Sequence, residues 1–125
     1  MTINEKDLYE NIVGHVPPEI SERIKVGLKT DPELTKMFED LRIHIMDSKV
    51  HDAKTVQLLL FGMMSARLIS APIRYHAVAA KMAGASMDEL NAVAGLSLLA
   101  GGMRSYNEAG AAIAAAFDPH ATEKE

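Results

Sequence analysis

The sequence contains no cysteine. That absence removes disulfides, thiol nucleophiles, iron–sulfur ligation and CxxC redox chemistry together. Aromatic residues make up only 5% of the chain, and no stretch alternates β-branched or aromatic residues with polar ones, so strands are not expected. Positive charge is also short: 13 Lys and Arg against 17 Asp and Glu give a formal net charge of −4. A nucleic-acid partner needs a basic face to neutralise phosphates, and none is expected here. No run of 18 apolar residues occurs. The most apolar stretch, Val56 to Ala66, is interrupted by Gln57, Gly62 and Ser65. Met1 leads into Asn4, Glu5, Lys6 and Asp7 rather than the apolar core of a signal peptide. The expectation is a soluble, cytoplasmic protein with no membrane partner.

What remains is a globular composition: 125 residues, 48% hydrophobic and 24% charged. Residues 1–125 are expected to form a single domain large enough to bury its own core. Helix punctuation is dense. After an opening segment in which Leu8, Tyr9 and Ile12 share a face, Pro17-Pro18 can start a helix carrying Ile20, Ile24 and Leu28. Asp31-Pro32 reads as an N-cap with proline behind it, and Leu34, Met37, Phe38, Leu41 and Ile45 then form one stripe, the pattern of a core-facing side. Ser48 to His51 is a break. Asp52 caps a long helix over Ala53 to Ile69, apolar on nearly every side and hence central. A further helix runs from Pro72 to Gly84, a C-terminal stop. Ser86 with Glu89 makes a capping box for the next helix, which ends near Gly101-Gly102. The last helix covers Met103 to Phe117, with a loose tail over 118–125. The predicted fold class is all-α, an irregular multi-helix bundle. The alanines from Ala109 to Ala116 and the scarcity of aromatic core material point to a homo-oligomer, because small residues let another helix approach closely.

Three polar residues interrupt apolar faces. His44 follows Leu41 by three and Met37 by seven, on the stripe expected to be buried. Gln57 lies one turn before Phe61 in the most apolar helix. His76 shares a side with Ile73, Ala77, Ala80 and Ala83, whose small size leaves room beside the imidazole. Buried polar groups must be partnered or cost a few kcal/mol. Each therefore has two readings: a satisfied core histidine or a functional one for His44 and His76, and a helix-bridging amide or a site residue for Gln57. Arg74, two residues from His76, falls on another side of its helix. Met63 and Met64 read as core filler. His15, His51 and His120 fall at breaks or in the tail and read as solvated. No HxxxH or HExxH spacing, Walker loop or nucleophile elbow is present, so no metal and no cofactor is expected.

The stretch from Asp52 to Ile113 resembles the carboxymuconolactone decarboxylase family, within the superfamily of alkylhydroperoxidase D-like proteins. The resemblance is carried by Asp-Ala-Lys-Thr at Asp52, Ile73-Arg74-Tyr75-His76, Lys81-Met82-Ala83-Gly84-Ala85-Ser86-Met87-Asp88-Glu89-Leu90 and Leu99-Ala100-Gly101-Gly102-Met103. It implies an all-α fold of the alkylhydroperoxidase D-like type that assembles as trimers or hexamers with pockets near subunit interfaces. The peroxidase branch carries a CxxC pair and an acidic residue. Here those positions fall on Ile69, Pro72 and Gln57, so peroxidase activity is not expected. The decarboxylase branch has an arginine and a histidine in the order of Arg74 and His76, and His44 stands about where that branch has a glutamate.

The resulting expectation is a cofactor-free lyase or isomerase for a small carboxylated or lactone metabolite. His76 would be the acid/base, His44 a second acid/base or orienting group, Gln57 a donor to the developing oxyanion, and Arg74 the holder of a substrate carboxylate. Imidazole suits the proton transfer because its ordinary pKa lies near 6.5. Two other readings stand beside it: a non-catalytic small-molecule-binding or assembly protein on the same scaffold, and a metal-dependent hydrolase or lyase using His44 and His76 with a carboxylate.

Overall fold

Aspartate, serine and proline set where the helices begin, and left-handed residues set where two of them stop. The computed structural model describes residues 18–118, all of whose regular structure is helical: α1 (Pro18–Thr30), α2 (Pro32–Met46), α3 (Ala53–Ala66), α4 (Ser70–Met82), α5 (Met87–Gly101) and α6 (Met103–Phe117). The expected opening around Leu8, Tyr9 and Ile12, with His15, Pro17, His120 and the tail beyond Asp118, lies outside the described residues. No helix among them is long and apolar enough to cross a membrane. Asp31 caps α2 by accepting from Leu34 N at 3.0 Å, and Asp52 caps α3 by accepting from Thr55 N at 2.8 Å. Ser86 and Glu89 form the complete capping box of α5.

The α3–α4 junction departs from expectation. α3 ends at Ala66 instead of Ile69 because Leu68 adopts φ +58°. Its N–H donates to Ser65 O at 3.1 Å and that of Ile69 to Met64 O at 3.2 Å, the paired bonds of a Schellman stop. α4 then begins at Ser70, two residues before Pro72, which is tolerated in a first turn where its missing N–H has no intrahelical acceptor. The C-terminus of α4 repeats the same bonds, Gly84 N to Lys81 O at 3.0 Å and Ala85 N to Ala80 O at 2.9 Å, with Gly84 at φ +100°. Nothing lies near enough to Gly84 to obstruct a Cβ, so conformation alone decides a substitution there. Gly84→Ala should lower stability by about 1–2 kcal/mol in chemical denaturation. An unchanged midpoint would mean the turn can relax out of the left-handed region.

The chain divides into two compact units, one ending at Val50 and one beginning at His51. In the first, α2 packs on α1 through the side bearing Thr35 and Glu39, and Ile24 is the buried apolar residue. Gly27 makes this possible, since a Cβ there would run into the Thr35 hydroxyl. Glu39, 2% exposed, receives Arg23 at 2.6 Å and Arg42 at 3.1 Å. The stripe expected to face the core is therefore on the wrong side. Leu34, Met37, Phe38, Leu41 and Ile45 are exposed, Met37 to 62% and Ile45 to 63%. His44 is exposed with them, contrary to the burial expected for it. The polar side won because Glu39 has two guanidinium partners on hand and Gly27 admits Thr35.

In the second unit α3 packs against α4, α5 and α6, the central place its composition implied. The core is built from Phe61, Ile73, Leu90 and Ile113 among many alanines, including Ala77, Ala80, Ala94 and Ala109. Alanine brings backbones close and leaves little side-chain volume to rearrange. Ala109 and Ala112 are buried in this core, so part of the small-residue face of α6 is already covered by the chain itself. Lys81 finishes the C-terminus of α6, donating to Ala116 O at 3.0 Å and lying 4.9 Å from the Phe117 ring centre. Lys54 and Glu89 pair at 2.9 Å and tie the start of α3 to the start of α5. The Lys54 hydrogen bond lowers the Glu89 carboxyl below its ordinary value, and Glu89 in turn raises the Lys54 ammonium.

Candidate active site

α3 and α4 position the site. Gln57, Phe61 and Ser65 recur every four residues, which turns all three to the interior side of α3, and all three are buried. On α4, Ile73, Ala77 and Ala80 are the corresponding interior residues. His76 sits at the edge of that side and is half-buried. Its Nδ1 lies 2.7 Å from Oε1 of Gln57. An amide oxygen only accepts, so Nδ1 carries the proton and, in the neutral ring, Nε2 carries the lone pair. Gln57 is 7% exposed and thus gives the imidazole a partner fixed by packing. The helix-bridging reading of Gln57 is thus met by this contact, which joins α3 to α4.

The other candidates are described on their own helices. Arg74 is exposed, about 200° round α4 from His76. His44 belongs to the first unit and is exposed on α2. Among the described residues the buried hydroxyls point to backbone carbonyls: Ser65 donates to Phe61 O and Ser97 to Ala94 O, each at 2.7 Å, Thr35 to Asp31 O at 2.9 Å, and Ser105 reaches Ala66 O at 3.5 Å. Among the described residues, no three His, Asp or Glu side chains are grouped to hold a metal ion.

A feature missed in the sequence lies on the far side of α3. Leu58, Leu59 and Met63 of α3, with Val93, Leu96 and Ala100 of α5, line an apolar groove of about 390 Å³. Met63, expected as core filler, is exposed there. The signal was present as an excess of apolar residues on α3: a helix apolar all round, with three neighbours, has more apolar surface than they cover.

The chain is similar in structure to a protein from Burkholderia xenovorans LB400 that is provisionally named a carboxymuconolactone decarboxylase. The TM-score is 0.72, with 22% identity over 97% of this chain and 93% of that one. No family model matches the chain, and no curated protein matches its sequence. The likeness establishes a carboxymuconolactone decarboxylase-like, all-α fold.

Proposed function

We propose that the protein is a cofactor-free lyase or isomerase of the carboxymuconolactone decarboxylase type, using His76 as the proton carrier on a small carboxylated or lactone substrate. The observation that supports this most is the 2.7 Å contact between His76 Nδ1 and buried Gln57. It fixes the orientation of the ring and, because an amide oxygen accepts, the tautomer in which Nδ1 carries the proton. In the neutral form, Nε2 takes a proton from carbon beside a carbonyl and returns it to another carbon, which isomerises an unsaturated lactone. In the protonated form it serves decarboxylation. The bond from carbon to carboxylate breaks, its electron pair passes into an enolate, CO2 leaves, and Nε2–H delivers its proton to carbon. Gln57 is the positioning residue, its carbonyl oxygen engaged with the ring. Arg74, exposed on another side of α4, keeps the expected role of holding a substrate carboxylate.

The test is a screen of the intact protein against small lactones and β-keto acids, followed by CO2 release and ultraviolet absorbance, with and without a chelator. Turnover that persists under chelation is expected. With a substrate in hand, Gln57→Ala should lower kcat about 10–100-fold, the scale on which orienting partners act. Gln57→Glu, which keeps the acceptor and adds a negative charge, should restore much of it and move the acid limb of the pH–rate profile upward. A Gln57→Ala protein with unchanged kcat and pH profile would reduce that contact to a structural one. Activity abolished by the chelator and restored by a divalent cation would replace this reading with a metal-dependent one. The groove between α3 and α5 favours a second reading, a non-catalytic binding or assembly role on the same scaffold. Absence of turnover across the screen would promote it.

A further inference from the structure

Only half of the Gln57 amide is engaged. Its Oε1 accepts from His76 Nδ1 at 2.7 Å, while its Nε2, which carries two N–H donors, makes no hydrogen bond to any described residue. Gln57 is 7% exposed, so the interior of the second unit walls off most of it. Yet among the described residues no sealed side-chain nitrogen or oxygen lacks a partner. The little of Gln57 that solvent reaches therefore includes Nε2. A nearly buried donor is costly to leave unanswered. Ser65, two turns along the same side of α3, avoids that cost by turning its hydroxyl onto Phe61 O at 2.7 Å. Nε2 of Gln57 has no such backbone partner and stays available at the edge of the imidazole. We propose that Gln57 Nε2 is a substrate-binding donor that selects an uncharged carbonyl oxygen over a carboxylate.

The preference follows from charge. A carboxylate brought against a nearly buried group loses hydration that only a cation repays. Lys54, the one cation of α3, is held by Glu89 at 2.9 Å, and Arg74 is about 200° round α4 from His76. The group on offer is a neutral amide hydrogen-bonded to a ring. A carbonyl oxygen gives up far less hydration than a carboxylate and accepts an N–H in the same geometry. The amide is planar, with its oxygen and nitrogen on one carbon, so a carbonyl held at Nε2 lies beside the imidazole that Oε1 orients. The carbon next to that carbonyl is then the one whose proton the ring can move. Calling the bound molecule a substrate rests on the lyase or isomerase reading; the binding of a carbonyl does not.

Gln57 is the only glutamine of the chain, so isotopic labelling of glutamine nitrogen gives a single side-chain NH2 pair in a proton–nitrogen correlation spectrum. The intact protein is titrated with cyclopentanone and, separately, with cyclopentanecarboxylate, which share a ring and differ in the charge on the oxygen-bearing group. Cyclopentanone should move one of the two proton resonances downfield in a saturable way, and the carboxylate should bind about tenfold more weakly or worse. A pair that stays still throughout the ketone titration, or that moves as readily with the carboxylate, overturns the proposal. Gln57→Glu keeps an acceptor for the ring and presents no donor at neutral pH. Its ketone affinity should fall about tenfold or more, with helix content by circular dichroism unchanged. Unchanged affinity in that folded variant overturns the donor as well. With a substrate in hand, the same variant should raise KM more than it lowers kcat, because the carbonyl is held before any proton moves. Ketone binding as described without turnover on any substrate would sink the lyase reading alone. Turnover with an amide resonance that ignores the ketone would sink the donor alone.

Discussion

His76→Ala should lose about 10²–10⁴-fold in kcat on a lactone or keto-acid substrate, the usual contribution of a general acid or base, or roughly 3–5 kcal/mol of barrier. Two effects are mixed in that variant, because the alanine also leaves Gln57 without its ring partner. Gln57 is nearly fully buried, so an unpaired amide oxygen there should cost about 1–3 kcal/mol of stability. His76→Asn separates the two. An asparagine side-chain amide can donate from near the position of Nδ1 and thereby keep the bond to Gln57, but it has no nitrogen that titrates. The expected result is a chain as stable as the parent and as inactive as the alanine variant. If His76→Asn retained full turnover, the imidazole would not be the proton carrier, and a buried hydrogen bond would be its whole role.

The sequence located the helices better than it located their faces. Asp31, Asp52 and the Ser86–Glu89 box act through hydrogen bonds within four residues, so composition and spacing suffice to place α2, α3 and α5. The end of α3 was missed because it depends on Leu68 entering a left-handed conformation, which nothing in a leucine advertises. The α2 stripe was misread for a different reason. Periodicity reports that a side is apolar; it does not say which partner covers it. Here Gly27, Thr35 and the arginines about Glu39 decided which side meets α1, and the apolar side was left outward. At the site, the oddness of a glutamine at position 57 and a histidine at position 76 was visible in isolation. Their 2.7 Å contact spans 19 residues of chain and two helices, and a helical pattern carries no information about which helix stands beside which. Arg74, expected on another side of its helix from His76, is exposed there. Two residues from His76 is about 200° away on a helix.

Phe61→Ala should be the most damaging single truncation in the second unit, at about 3–5 kcal/mol. Phe61 is fully buried and is the one aromatic member of the buried cluster. The cost depends on how far the surroundings can close over the space left behind, and here they can close little. Many of the cluster's other members are alanines, whose methyl groups move only if their helices move, leaving Ile73, Leu90 and Ile113 as the larger groups. Domains of ordinary size are stable by about 5–15 kcal/mol in all, so the variant should lose a large part of its margin. Calorimetry should show the main transition falling by roughly 10–20 °C, since each kcal/mol moves the midpoint by several degrees at this chain length. Phe61→Leu, which keeps most of the volume, should cost under about 1.5 kcal/mol. Gln57 lies one turn before Phe61 on the same side of α3, so the alanine variant should also loosen the carbonyl that orients His76. Below its transition it should turn over more slowly than Phe61→Leu. A Phe61→Ala protein that melts within a degree or two of the parent would mean that the alanine-rich helices, or the partly buried Tyr106, Phe117 and Met64 packed on the cluster, close over the cavity.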